Sequence, residues 1–231
     1  MSTETEPLDT VTQHSRGRGA LILGHNRQEL LDQTVASIRP QVDTVMVLDN
    51  ASDPKLTVPE GVGTMYVPDQ PPNLAKFWNM GLDFYAHWYG KQGWEYDVAI
   101  LCDDAPVPDG WFAAVTEAMR ETGAAAGSSS PWSQPRVMKY DMDSDIRNRM
   151  CSWAFIVDGA SLVRADESMH WWWFDSDFDI SMRRNGGTVL IGTHPVPNQQ
   201  PNYFTVTKPE LNEQAGRDGR TFVAKHGRAP W

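Results

Sequence analysis

Asp97-Val-Ala-Ile-Leu-Cys-Asp-Asp-Ala105 is an apolar run that ends in two adjacent carboxylates. The segment 98–101 has the length and β-branched content of a buried parallel strand. Asp103 and Asp104 then fall where that strand leaves its sheet. Neighbouring carboxylates at a strand end repel each other and resist burial, so a divalent cation or a ligand hydroxyl would relieve them. The same pair also reads as a solvated loop that offers caps to a following helix, and both readings stand at this point.

The chain of 231 residues suits one large α/β domain with tails, and its 40% hydrophobic content supports a core. A formal net charge of −10 argues against broad affinity for nucleic acid or anionic membranes, although one local nucleotide site is compatible with it. Cys102 and Cys151 match no metal or redox spacing. The polar, acidic N-terminal stretch does not read as a signal peptide, and no window approaches a membrane span. A cytoplasmic protein, at most peripheral to a membrane, is the expectation.

Working outward from the Asp pair, 20–23 is an apolar run followed by Gly24-His-Asn-Arg27, and 28–39 carries Leu30, Leu31, Val35 and Ile38 at helical spacing before Pro40. A second run, 44–48, ends in the turn formers Asp49-Asn-Ala-Ser-Asp53. A short strand at 64–67, a loop at 69–73 and a helix over 74–88 precede the central strand. Asp109 reads as the cap of a helix over 110–121. The alternation predicts an α/β domain with a mostly parallel central sheet and helices on both faces, its ligand lying at the carboxyl ends of the strands. Asn26 and Arg27, Asp49 and Asn50, and Asp103 and Asp104 all sit at such ends. Beyond them come a loop-rich 123–145, a strand over 152–157, a helix or turn at 160–167, the aromatic run Met169-His-Trp-Trp-Trp-Phe174, a helix closed by Gly186-Gly187, a strand over 188–191, and a helix over 209–225.

In this order the pieces resemble the family-2 glycosyltransferases of the GT-A fold, over roughly residues 19–200. Four stretches carry the resemblance: LILGHNRQELLDQTVASI, VMVLDNASDP, ILCDDAPVPDGWF and WFDSDFDISMRRNGG. The third is similar to the family's Asp-x-Asp strand, and the fourth to its Glu-Asp-x-Asp segment. Two positions depart: Cys102 stands where the first motif begins with a carboxylate or Asn, and Ser176 replaces the Glu of the second.

The resemblance implies an inverting, metal-dependent transferase that moves a sugar from a nucleoside-diphosphate sugar, UDP-linked by preference. Mn²⁺ or Mg²⁺ would sit on Asp104, with His194 as a further ligand. Asp103 would contact the ribose, Asp49 the base, Asn26, Arg27 and Asn50 the nucleotide pocket, and Lys76 the diphosphate. Asp177 would be the general base, with Trp171, Trp172, Trp173 and Asp179 on the acceptor side. Each has a plainer reading: Asp49 as a turn residue, Lys76 as a solvated charge, Asp179 as a helix cap, His194 as structural. At least one of three consecutive Trp must leave the core and line the cleft. The implied organisation is a tail at 1–18, a catalytic domain at 19–204 with a nucleotide half (19–122) and an acceptor half (123–204), and a helical C-terminal tail at 205–231.

The acceptor is open: a glycan, a lipid-linked sugar, a small molecule or a protein hydroxyl. Nucleic-acid partners and an integral membrane segment are not expected. Rival readings are a GT-A-fold binding protein without activity and a nucleotidyltransferase. The latter needs a Gly-rich basic loop after the first strand, and GHNRQE is not one. A dinucleotide-dependent dehydrogenase is set aside for lack of G-x-G-x-x-G.

Overall fold

The computed structural model describes residues 16–130, 136–138, 149–199 and 207–229. Eight strands form one sheet in the order β3-β2-β1-β4-β7-β5-β8-β6. These are β1 (Gly17–Gly24), β2 (Thr44–Asn50), β3 (Gly63–Val67), β4 (Tyr96–Cys102), β5 (Ala126–Ser129), β6 (Arg136–Met138), β7 (Ala154–Asp158) and β8 (Thr188–Ile191). The first four are mutually parallel, β5 is parallel to β8, and β7 runs antiparallel to both β4 and β5. Short β6 runs antiparallel to β8 at the edge. The helices are α1 (Gln28–Ile38), α2 (Leu74–Gly90), α3 (Trp111–Thr122), α4 (Phe174–Arg184) and α5 (Pro209–His226).

Both faces of the sheet are covered, so the central strands are apolar on consecutive residues rather than alternate ones. On β4, Val98 and Ile100 join a core with Leu21 of β1, Phe77, Trp78 and Tyr85 of α2, and Phe178 of α4. Ala99 and Leu101 point the other way, into a core with Leu31 and Val35 of α1 and Trp111 and Val115 of α3. The glycines of β1 have a specific use. A Cβ on Gly19 would lie 2.5 Å from the Tyr85 ring, so the missing side chain lets α2 sit directly on the strand. Tyr85 then donates its hydroxyl to the Ala20 carbonyl at 2.7 Å.

The structure departs from the sequence expectations in three places. β1 opens at Gly17, inside the stretch expected as tail; residues 1–15 lie outside the described residues. The cap of α3 is Gly110, in the left-handed region at φ 77°, not Asp109. The loop-rich stretch from 123 contains β5 and β6, with 131–135 and 139–145 outside the described residues. Of the helix or turn expected at 160–167, the structure has turn and loop. The helix expected over 209–225 is present as α5 and is built into the body, with Leu211 and Phe222 buried.

Gly19→Ala should therefore destabilise the fold by about 1–3 kcal/mol, the usual penalty for overpacking a filled core. Urea titration checks this: the midpoint should fall at an unchanged slope.

Candidate functional site

The β1, β2 and β4 ends meet in a bracket built largely by short polar side chains. Asn26, held at φ 56°, receives the Asp53 amide on its Oδ1 at 2.8 Å and gives its own amide to Ser52 Oγ at 2.9 Å. Asp49 uses Oδ1 for the Ser52 amide (3.1 Å) and Oδ2 for the Leu56 amide (3.0 Å). Both Asp49 oxygens are thus spent on the turn, so of its two sequence readings the geometry matches the turn. Asn50 donates to the Val67 and Asp69 carbonyls, and its own carbonyl meets His25 Nδ1 at 2.5 Å.

Arg27 occupies the centre. Its Nε lies 3.1 Å from Asp103 Oδ2 and its Nη1 3.0 Å from Asp104 Oδ2, while Nη2 pairs with Asp103 Oδ1. The Asp103 side chain is fully buried and also accepts the His25 amide at 3.2 Å. Burial pushes the Asp103 carboxyl up to about 6 despite the Arg27 guanidinium beside it. Burial likewise raises the Cys102 thiol and lowers the His25 imidazole.

These groups line a cavity of about 430 Å³ that opens at the carboxyl end of β4. His25, Arg27, Asn50, Asp103 and Asp104 supply its polar and charged lining. Trp153, Trp171, Trp172 and Phe174 supply aromatic lining of the same cavity, together with Asp175. Arg149 Nη2 lies 3.2 Å from Asp175 Oδ2 and Nη1 reaches Ser176 Oγ. Lys208 and Leu211 bring α5 and the residue before it into the lining.

Several residues named from sequence lie elsewhere. Asp177, expected as the base, is buried against α5, with His226 Nε2 at 2.8 Å and Lys225 Nζ at 2.9 Å. Asp179 is buried with Arg183 at 2.7 Å and is pushed up to about 6 by burial. Lys76 pairs with Asp69 at 2.6 Å instead of facing the cavity. Trp173 caps α4 at φ 69° and packs on Trp172 and Phe222, leaving Trp171 and Trp172 as the wall. His194 hydrogen-bonds Thr193 and lies beside Gly110, and it is not among the residues that line the cavity. His25, Arg149, Asp175 and Lys208 were missed from sequence. Asp175 stood two residues before the residue chosen, and Arg149 stood in a stretch without periodicity.

For a divalent cation, Asp104 offers hard carboxylate oxygen at the cavity wall. Among the described residues no cluster of three or more His, Cys, Asp or Glu could hold a metal. The residues fit an ion that takes Asp104 from the protein and the rest of its shell from phosphate oxygens and water.

No protein-family model matches the chain, and no curated protein does either. Solved structures do. S. aureus TarS residues 1–349 in complex with UDP aligns at TM-score 0.58 with 12% identity, over 90% of this chain and 70% of that one. GalNAc-T7 with UDP, GalNAc and Mn²⁺ aligns at TM-score 0.54 with 13% identity, over 94% of this chain and 55% of that one. The fold is GT-A. In another S. aureus TarS structure the aligned part is 43% of that chain, at TM-score 0.56 and 12% identity. Within the GT-A sheet of the present chain, the cavity lies at the carboxyl ends of β1 and β4. Among the described residues no helix is long and apolar enough to cross a membrane.

Arg27→Met should cost about 3–5 kcal/mol, because it leaves the buried Asp103 carboxylate without its cation. Arg27→Lys should recover only part, since a point charge cannot span both carboxylates as the guanidinium fork does. The pH dependence has a definite sign. A carboxyl whose folded value of about 6 exceeds its ordinary 3.8 contributes stability below 3.8 that is lost as pH rises through 6. Removing Arg27 raises that folded value further, so urea titrations should show a larger deficit at pH 8 than at pH 5.

Proposed function

We propose that the chain is a glycosyltransferase that moves a sugar from a nucleoside-diphosphate sugar, UDP-linked by preference, to an acceptor hydroxyl. The observation that supports this most is the joining of two unlike sets of side chains in one cavity. The charged set, Arg27 with Asp103 and Asp104, suits a nucleoside diphosphate. The aromatic set, with Trp171 and Trp172, suits the apolar face of a sugar ring. UDP in the TarS and GalNAc-T7 structures supports the same choice of donor.

Each group then has a task. His25 and Asn50 are the lining groups suited to the nucleoside, and Asp103, its carboxylate taken up by Arg27 and the His25 amide, holds Arg27 in place for the diphosphate. Asp104 would hold Mn²⁺ or Mg²⁺, which when bound neutralises charge developing on the leaving diphosphate. Asp175 is the carboxylate that accompanies the aromatic lining and takes the proton of the acceptor hydroxyl, with Arg149 fixing its orientation. One carboxylate acting as base on the acceptor matches direct displacement, with inversion at the anomeric carbon. Asp177, held by His226 and Lys225, acts in the packing of α4 on α5.

A second reading, nucleotide-sugar binding without transfer, is favoured by one observation: Arg27 already neutralises the Asp pair. Release of nucleoside diphosphate from UDP-, GDP- and TDP-sugars in the presence of Mn²⁺ separates the two. Turnover of at least one donor is expected, and binding with no turnover of any would leave the second reading. Asp175→Asn should lower turnover by about 100-fold or more, in the range for loss of a general base. Asp177→Asn should instead lower the melting temperature and leave turnover within a few-fold. The opposite pattern would return the base to Asp177. Asp104→Asn should abolish the difference between UDP affinities measured by calorimetry with and without Mn²⁺.

A further inference from the structure

The aromatic run 169–173 has no secondary structure of its own to satisfy its backbone. One side chain from another element takes three of its consecutive amides. Asp218 of α5 is fully buried. It accepts the His170 amide at 3.1 Å on Oδ1, and the Trp171 and Trp172 amides at 2.7 and 2.9 Å on Oδ2. Gln214 Nε2 adds a fourth donor on Oδ1 at 2.6 Å. Charge-assisted bonds from three consecutive amides fix the path of the chain more firmly than neutral partners would. On its other side the segment is tied to α2, whose Leu74 amide donates to the His170 carbonyl at 2.7 Å. One residue further along α5, Gly219 lets the helix approach Trp173. A Cβ there would stand 3.1 Å from the indole Nε1.

We propose that Asp218 is the positioning residue of the cavity's aromatic wall, holding Trp171 and Trp172 where a sugar ring packs. Binding of the sugar, as distinct from the nucleotide, thereby depends on the C-terminal helix. The proposal rests on the transferase reading and deepens it: α5 serves sugar recognition, although Asp218 does not line the cavity.

The mechanism dictates which variants test it. Asn at 218 keeps the shape but must turn an N–H₂ or a single oxygen toward donors that shared two anionic oxygens, so at least one buried amide loses its acceptor. Ala at 219 leaves the carboxylate alone and improves helix propensity. Its methyl, however, must displace Trp173 by a few tenths of an ångström.

The experiment measures calorimetric affinity for UDP, UDP-glucose and UDP-N-acetylglucosamine with Mn²⁺, together with amide hydrogen exchange at 170–172. In Asp218→Asn, exchange should quicken about tenfold, UDP affinity should stay within about twofold of wild type, and the affinity gained from the attached sugar should fall about tenfold. Gly219→Ala should melt no lower than wild type yet lose part of the same gain, which decides the matter even if Asp218→Asn does not fold. Both variants keeping the wild-type sugar gain would overturn the proposal. Wild-type protein that binds UDP with no gain from either sugar would overturn it too, leaving the nucleotide reading intact. Wild-type protein that binds neither UDP nor a UDP-sugar would overturn the transferase reading itself, and the proposal with it.

Discussion

Two carboxylates at the end of a strand buried on both faces need a positive charge within reach, and the fold supplies it from the neighbouring strand. β1 and β4 are paired in register up to Leu23 and Cys102, so the residues that follow leave the sheet side by side. The turn after β1 is tightened by Asn26 in the left-handed region, which brings Arg27 back across the end of β4. From there the guanidinium fork spans both Asp103 and Asp104, as its planar geometry allows and a Lys could not. Asp103 keeps a raised carboxyl even so, because full burial costs its charged form more than one Arg returns. The charged lining of the cavity is therefore set by strand register, one strained turn and one ion-pair cluster.

More of the lining depends on a change of strand direction. β7 runs antiparallel against β4, which turns the chain around and places the residues preceding β7 beside the end of β4. Arg149, Ser152 and Trp153 reach the cavity by that route. The aromatic run follows later in the chain and comes back to the same place only because α2 and α5 hold it. Asp218, Trp173 against Phe222, and the Asp177 contacts with His226 and Lys225 together make α5 the support of the aromatic lining.

Local pattern made the sheet legible. Apolar runs at 20–23, 44–48 and 98–101, each followed by polar turn formers, placed β1, β2 and β4 and the residues at their ends. Arg27, Asn50, Asp103 and Asp104 were legible for the same reason, since strand-end position is a local property. Asp49 and Lys76 were not. Each is near the site in sequence, but Asp49 finds two backbone amides and Lys76 finds Asp69, and such competing partners are set by loop shape. Asp218 was hidden more deeply. Nothing in an 18-residue amphipathic helix distinguishes a buried Asp that binds amides 46 to 48 residues away from one that faces water.

The exchange of Asp177 for Asp175 follows from helix geometry. Residues two apart on a helix point about 200° from each other, at 3.6 residues per turn. Asp175 and Asp177 both lie on α4, so one helix cannot present both to the same cavity. Asp179, about 40° from Asp175 around the axis, shares its side but lies one turn further in, where Arg183 and the Met150 amide meet it. A motif read as a string of letters treats the three carboxylates as interchangeable neighbours. Read as a helix, it divides them into one that faces the cavity, one that fastens α5, and one that is neutralised inside the core.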